Sequence, residues 1–128
     1  TRSRFFYEKF MISLSPVWYN RRVNTRFTEN AACTLATFDE GAKARSERLV
    51  QALAQFGSML RMPYSKNIMP GIFELRDSGK SNVRLIYTFR DNEAVIFHCF
   101  LKKTQRISRK EIDNIQRKFR ALKRGLRI

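Results

Sequence analysis

The chain has 128 residues, which predicts a single domain with one core. Hydrophobic residues make up 43% and aromatic residues 12%, which is too much apolar material for an intrinsically disordered chain. The 26 Lys and Arg against 11 Asp and Glu give a net charge of +15. That charge predicts an acidic partner: nucleic acid, an anionic membrane or an acidic protein.

The sequence disfavours a membrane-spanning protein and a metal-binding protein. No apolar run approaches the roughly 20 residues that cross a bilayer, so no membrane partner is predicted. Cys33 and Cys99 lie far apart and have no metal-ligand spacing, and one histidine adds too few ligands for a metal site. Reduced, buried thiols in a cytoplasmic protein are the simplest interpretation, and a disulfide is the alternative.

The N-terminal half predicts a strand and two helices. Residues 1–15 are interpreted as an extension that precedes one domain over residues 16–128. Aromatic and β-branched residues favour a strand over Val17–Val23. Apolar spacing predicts a helix over Thr25–Phe38 and a second helix that Asp39 caps and Gly57 ends.

A loop over residues 58–71 and three strands follow. The segments "GIFELRD", "VRLIYTF" and "AVIFHCFL" have the alternation or the apolar content of strands, and "DSGK" and "RDNE" predict the turns between them. The last strand is apolar on both faces, which predicts a central position in the sheet.

The C-terminal segment predicts a basic helix. Ser108 and Glu111 have the spacing of a capping box, and Gly125 marks the end. One face carries the apolar residues Ile112, Ile115, Phe119 and Leu122. The layout β-α-α-β-β-β-α predicts an α+β domain, with two N-terminal helices and one basic C-terminal helix on a mostly antiparallel sheet.

Several catalytic schemes lack their residues. There is no Gly-rich phosphate loop and no Gly-x-Ser-x-Gly elbow, and the scattered acids do not suit two-metal chemistry. Cations do gather at predicted strand ends: Arg76, Arg84, His98, Lys102 and Lys103. Arg76 and Arg84 flank one hairpin, and the two lysines end the strand that runs parallel to that of Arg76. Such cations could grip a phosphate and stabilise its transition state, while His98 or a lysine moves protons.

Each of these residues also has a purely structural interpretation. His98 could be a satisfied core histidine, and Arg76 could form a surface ion pair with Glu74. Tyr87 could stack on a base or pack in the core, and Lys102 and Lys103 could protect a strand end from pairing. The basic helix could be no more than a solvated face. Composition and spacing alone predict a small nucleic-acid-binding domain.

A family resemblance extends this interpretation. The run from "MPYSK" through "GIFELRD", "RLIYTF" and "VIFHCFLKKTQRISRKEIDNIQRK" resembles the RelE/ParE superfamily of bacterial toxins, in its phage-derived Gp49-like HigB branch. The resemblance covers about Met62 to Lys123, and "WYNRRV" and "ARSERLVQALAQFG" resemble the first strand and second helix of the family.

The resemblance implies a toxin of a type II toxin–antitoxin system with the RelE fold. Such toxins cleave mRNA without a metal or other cofactor, commonly in the ribosomal A site. A helix-turn-helix antitoxin of the HigA type would block the toxin and alone contact operator DNA. By position, the implied catalytic residues are Arg76, Arg84, His98, Lys102 and Lys103. The implied RNA-binding residues are Tyr87, Gln105, Arg106, Arg109 and Lys110.

Two other functions remain open at the level of sequence. The ParE branch poisons DNA gyrase and needs no ribonuclease residues, and a nucleic-acid-binding module would need no catalysis at all. The phosphate-handling side chains of "HCFLKKTQ" favour the ribonuclease.

Overall fold

The computed structural model describes residues 22–77 and 82–128. Within these residues, five strands and three α-helices make an α+β domain, which is the fold class that the sequence predicts. In chain order they are β1 (Asn24–Phe27), α1 (Glu29–Ala36), α2 (Glu40–Phe56), β2 (Ser65–Met69), β3 (Ile72–Arg76), β4 (Val83–Arg90), β5 (Glu93–Leu101) and α3 (Arg109–Lys123). A 3-10 turn over Gly57–Met59 follows α2.

The strands form one sheet in the order β1-β5-β4-β3-β2. β1 is parallel to β5, and the other neighbours are antiparallel. β5 therefore lies inside the sheet, which confirms the position that its apolar sequence predicts. Asp91 and Asn92 make the turn between β4 and β5 with φ angles of 49° and 65°, which Asp and Asn tolerate best among residues with a side chain.

The N-terminal elements differ from the prediction in two places. The predicted helix over Thr25–Phe38 is wrong in its first residues, because Asn24–Phe27 pairs with β5 as a strand. The Thr28 side chain then caps α1 by accepting a hydrogen bond from the Ala31 N–H. The strand predicted over Val17–Val23 lies mostly outside the described residues, and its described end, at residues 22 and 23, is not in a strand.

The second helix is as predicted. The Asp39 carboxylate accepts a hydrogen bond from the Ala42 N–H at 2.7 Å, and Gly57 ends the helix with a φ of 54°. The predicted loop over residues 58–71 is wrong in part, because Ser65–Met69 forms edge strand β2. The predicted "DSGK" turn spans residues 77–80, and residues 78–80 are outside the described ranges.

Each face of the sheet has its own core. Helices α1 and α2 cover one face, where their apolar side chains pack on Leu75, Val83, Leu85, Tyr87 and Ile96. Helix α3 covers the other, where Ile115 and Leu122 pack with Ile72, Ile86, Val95, Phe97 and Phe100. We call these the α1/α2 face and the α3 face.

Ile115, Phe119 and Leu122 of the apolar stripe of α3 pack as predicted. Gly125 follows the helix with a φ of 75°. Ser108 caps α3 by accepting a hydrogen bond from the Glu111 N–H at 3.2 Å. The Glu111 carboxylate instead reaches His98 on β5, so the predicted capping box is half formed. No helix in the described part of the chain is long and apolar enough to span a membrane.

Candidate phosphate-binding site on the α3 face

Two arginines face each other at one end of the sheet. Arg76, the last residue of β3, lies directly opposite Arg84 near the start of β4. Directly opposed residues share a face and have Cβ atoms about 5 Å apart. The Lys102 N–H donates to the Asn82 carbonyl at 2.7 Å and so continues the β5–β4 ladder at this same end. We call Arg76, Arg84 and Lys102 the cationic edge. The sequence predicts this group with Lys103 and His98 as further members.

A buried carboxylate lies beside the cationic edge. Glu74 is two residues before Arg76 on β3, shares its face, and is only 2% exposed. Its Oε1 atom is 3.8 Å from the Nε atom of Arg84, which is an ion pair without a hydrogen bond between these two atoms. The sequence alternative of a surface pair with Arg76 is wrong in both partner and burial.

Arg76 also braces the turn before β2. Its Nε–H donates to the Pro63 carbonyl at 3.2 Å, and its Nη2 lies 3.7 Å from the Met62 sulfur. The guanidinium of Arg84 donates through Nη1 to the Val83 carbonyl at 2.8 Å. Both guanidinium groups therefore have fixed starting positions, which limits the entropy lost when they bind a ligand.

His98 owes its orientation to a β-bulge. Ile86 pairs with His98 and Tyr87 pairs with Ile96, so Phe97 is an extra residue in β5. The bulge turns both Phe97 and His98 toward α3, where Phe97 stacks on Phe119 with ring centroids 5.9 Å apart.

Both ring nitrogens of His98 are occupied. Nε2–H donates to Glu111 Oε1 at 2.8 Å, which fixes the tautomer because a carboxylate only accepts. Nδ1 accepts from Lys118 Nζ at 2.9 Å, and Lys118 also donates to Asn30 Oδ1 at 2.5 Å. This chain, which we call the His98 network, joins β5, α3 and α1.

The environment of His98 keeps the ring neutral. Burial lowers the pKa of His98, and the positive charges of Lys118 and Arg117 lower it further, while the bond to Glu111 opposes them. Burial also lowers the pKa of Lys118. In the structure His98 is a histidine with both ring nitrogens bonded, and it holds α3 on the sheet. This agrees with the purely structural interpretation of His98 given for the sequence.

Tyr87 lies on the α1/α2 face, away from the cationic edge. It is 1% exposed, and its hydroxyl shares a 2.6 Å hydrogen bond with the Ser65 hydroxyl. Burial raises the pKa of Tyr87 to about 12. The ring packs between Phe73 and Phe89, so the core interpretation describes it and a base cannot reach it in this structure.

The remaining predicted contacts lie outside the sheet. Lys103 and the RNA-binding candidates are exposed along the segment from β5 into the first turn of α3: Gln105, Arg106, Arg109 and Lys110. Sequence reasoning missed Lys66, which pairs with Glu74 and therefore faces the same side of the sheet. The sequence does not point to Lys66, because it predicts a loop where β2 lies.

The cationic edge can bind an anion and stabilise added negative charge. The guanidinium of arginine matches the geometry of a phosphate. In a half-buried position, the Coulomb attraction between each cation and a phosphate is stronger than in water. Within residues 22–77 and 82–128, no cluster of three His, Cys, Asp or Glu could hold a metal ion.

The two cysteines differ in exposure. Cys33 is exposed, contrary to the prediction that both thiols are buried. Cys99 is buried, and burial raises its pKa to about 12.

The fold and this basic site define a small α+β domain with a group of cations at one end of its sheet. The chain belongs to the family described as Phage derived protein Gp49-like (DUF891), whose profile matches residues 34–120. That match covers both arginines and most of α3, and it confirms the Gp49-like resemblance of the sequence. No curated protein sequence matches the chain.

Solved structures of RelE proteins resemble the chain at low identity. The isolated RelE toxin of E. coli is 16% identical, with 74% of this chain and 97% of that chain covered and a TM-score of 0.49. The archaeal RelE–RelB complex from Pyrococcus horikoshii gives 13% identity, 67% and 99% coverage and a TM-score of 0.49. The RelBE2 toxin–antitoxin complex from Mycobacterium tuberculosis is 20% identical, with 63% of this chain and 92% of that chain covered and a TM-score of 0.42.

Proposed function

We propose that this protein is the toxin of a type II toxin–antitoxin system and an endoribonuclease that cleaves mRNA on the translating ribosome without a metal. The observation that carries the proposal is the pair of directly opposed arginines, Arg76 and Arg84, at the end of a basic sheet. The net charge of +15 and the resemblance to RelE/ParE toxins support the same function.

The proposed reaction uses the RNA's own nucleophile. The 2′-hydroxyl gives up its proton to solvent as its oxygen attacks the adjacent phosphorus. The bond from phosphorus to the 5′-oxygen breaks and the 5′-oxygen takes up a proton from solvent, which leaves a cyclic phosphate and a 5′-hydroxyl. Arg76, Arg84 and Lys102 bind the phosphate and stabilise the extra negative charge of the pentacovalent transition state. One such electrostatic contact contributes about 10²- to 10³-fold in rate.

The surface beyond the cationic edge would hold the RNA backbone. Lys103 and the exposed residues Gln105, Arg106, Arg109 and Lys110 extend from that edge along the start of α3. We assign His98 to positioning α3, since both of its ring nitrogens already have partners. Each phosphate contact releases counterions, so RNA binding should weaken steeply as salt rises.

The proposed partner in the cell is a helix-turn-helix antitoxin of the HigA type. Such an antitoxin would mask the cationic edge, and operator DNA would be bound by the antitoxin alone. The excess positive charge of the toxin predicts an acidic segment in the antitoxin. Weaker antitoxin binding at high salt is the expected sign of that contact.

A cleavage map of a translated mRNA tests the proposal. Primer extension would compare the wild type with Arg84→Ala, each with and without ribosomes. We expect cuts at in-frame positions only with ribosomes, and about 10²-fold fewer with the variant. Arg26→Ala is the matched control, because it also removes one arginine that is ion-paired to a glutamate, at the far end of the sheet.

Three outcomes would contradict the proposal. Growth arrest without any RNA cuts, together with inhibited gyrase, would favour the ParE-like function. Equal cutting by the wild type and Arg84→Ala would show that the cationic edge is not the catalytic site. RNA binding that falls with lost charge, with no cleavage in any sample, would favour a non-catalytic binding module.

A further inference from the structure

We propose that Glu74 is a positioning residue for Arg84, whose guanidinium it holds in place at the phosphate site from beneath. This inference rests on the proposed ribonuclease function, because it assigns Arg84 to the scissile phosphate. It adds a carboxylate to a site that otherwise consists of cations.

The position of Glu74 is unusual for an acid. The residue is 2% exposed and lies in the middle of β3, flanked on the sheet by Lys66 of β2 and Ile86 of β4. One carboxylate oxygen, Oε1, is 3.8 Å from Arg84 Nε. The other, Oε2, is buried and has no hydrogen-bond partner among the described residues.

Stability alone does not account for this carboxylate. A buried charge costs free energy unless ion pairs and hydrogen bonds satisfy both oxygens, and an apolar residue at such a position is often as stable or more so. Apart from Lys66 and the two arginines, the neighbours of Glu74 on the α3 face are apolar, with Ile72 and Ile86 close to it in the sheet. An acid placed here at a cost indicates a role that depends on its charge.

The charge that Glu74 balances is the arginine pair. Like charges directly opposite each other in a sheet destabilise it. Burial lowers the pKa of Arg84, the charge of Glu74 raises it, and the charge of Arg76 lowers it. Glu74 therefore opposes both effects that act against a charged, inward-lying Arg84, and it does so before any phosphate arrives.

The first test is Glu74→Gln, which keeps the shape and removes the charge. Because the carboxylate repels RNA phosphates, its loss should leave KM equal or lower. Because Arg84 is no longer held, kcat should fall about 10-fold or more. Glu93→Gln is the matched control, since Glu93 pairs with Arg26 at the other end of the sheet. An unchanged kcat in a folded Glu74→Gln variant would overturn the inference.

A double-mutant cycle shows whether Glu74 acts through Arg84. In an Arg84→Lys background, which keeps the charge but lacks the planar guanidinium, Glu74→Gln should change kcat less than about 2-fold. Independent, multiplying effects would overturn the inference. So would loss of the acidic limb of the pH–rate profile in Glu74→Gln, because that result would make Glu74 the proton acceptor itself.

A measurement without RNA separates this inference from the proposed function. In ¹⁵N spectra, the Nε–H of a held Arg84 should give a resolved signal, assigned by its loss in Arg84→Lys. Glu74→Gln should broaden that signal or move it to the position of exposed arginines. A signal that is unchanged in Glu74→Gln would overturn the positioning role. A resolved Arg84 signal in the wild type that changes in Glu74→Gln, in a protein that cleaves no RNA, would contradict the proposed function alone.

Discussion

The two faces of the sheet are built by different rules. The α1/α2 face is closed by apolar side chains, and two of its buried hydroxyls, those of Tyr87 and Ser65, bond each other. The α3 face has apolar packing too, but it also buries Glu74 and His98 and carries the arginine pair. The α1/α2 face therefore supplies a rigid support, and the α3 face carries the charges that the proposed chemistry needs.

The largest expected effect comes from two neighbours on opposite faces. Leu85 and Ile86 are both fully buried in β4, and each truncation to alanine should cost about 2–5 kcal/mol in unfolding free energy. Only Ile86 is paired with both Glu74 and His98. Ile86→Ala should therefore also shift the NMR signals of the His98 ring, while Leu85→Ala should leave them in place. Equal shifts in both variants would mean that the two faces are not independent.

Removal of the Tyr87 hydroxyl should have the next largest effect. Tyr87→Phe leaves the buried Ser65 hydroxyl without its 2.6 Å partner, which costs about 1–3 kcal/mol in urea unfolding. Tyr87→Phe/Ser65→Ala should recover most of that loss, since both polar groups are then gone. RNA cleavage by folded protein should be unchanged in both variants. A selective loss of cleavage in Tyr87→Phe would return Tyr87 to the RNA-binding set.

A smaller effect is expected at the start of α3. Ser108→Ala removes the side chain that caps the helix and should cost about 1 kcal/mol. Thr104→Ala is a suitable control, because Thr104 is also exposed and carries a hydroxyl, which donates to the Arg106 carbonyl before α3 begins. Hydrogen exchange at the first turn of α3 should speed up in Ser108→Ala alone. Equal exchange in the two variants would contradict the capping role.

The elements that the sequence predicts correctly carry local signals. Asp39 and Gly57 bracket α2 by backbone rules that act within a few residues, and the alternation of β3 and β4 sets the register that brings Arg76 to Arg84. β1 was missed because it is short and its partner is β5, nearly 70 residues later in the chain. β2 was missed because "SKNIM" has little strand propensity and relies on pairing with β3.

The site divides in the same way. The hairpin register predicts the arginine pair, whereas the partners of Glu74 and His98 depend on tertiary packing. Glu111 and Lys118 reach His98 only because α3 crosses the sheet above the bulge at Phe97. Neither the bulge nor the crossing leaves a pattern in the residues near His98.

The smallest expected effect is a pH dependence that one residue explains. His98 is the only histidine of the chain, and burial lowers its pKa in the fold. As pH falls below the ordinary histidine pKa of about 6.5, the unfolded chain gains a proton that the folded protein resists. The stabilisation is therefore complete above that pH and is lost as pH falls toward the lower pKa of the fold.

Thermal unfolding between pH 7.5 and pH 5.5 measures this dependence. The melting temperature of the wild type should fall across that range. His98→Gln should be nearly flat, because its amide can still donate to Glu111 and accept from Lys118 but does not titrate. Most carboxylates titrate below pH 5 and add little in this window. An equal slope in His98→Gln would mean that other groups set the pH dependence, and a melting temperature that rises with acid would mean that the fold prefers charged His98. Because both ring nitrogens of His98 already have partners, the proposed catalysis rests on Arg76, Arg84 and Lys102 of the cationic edge.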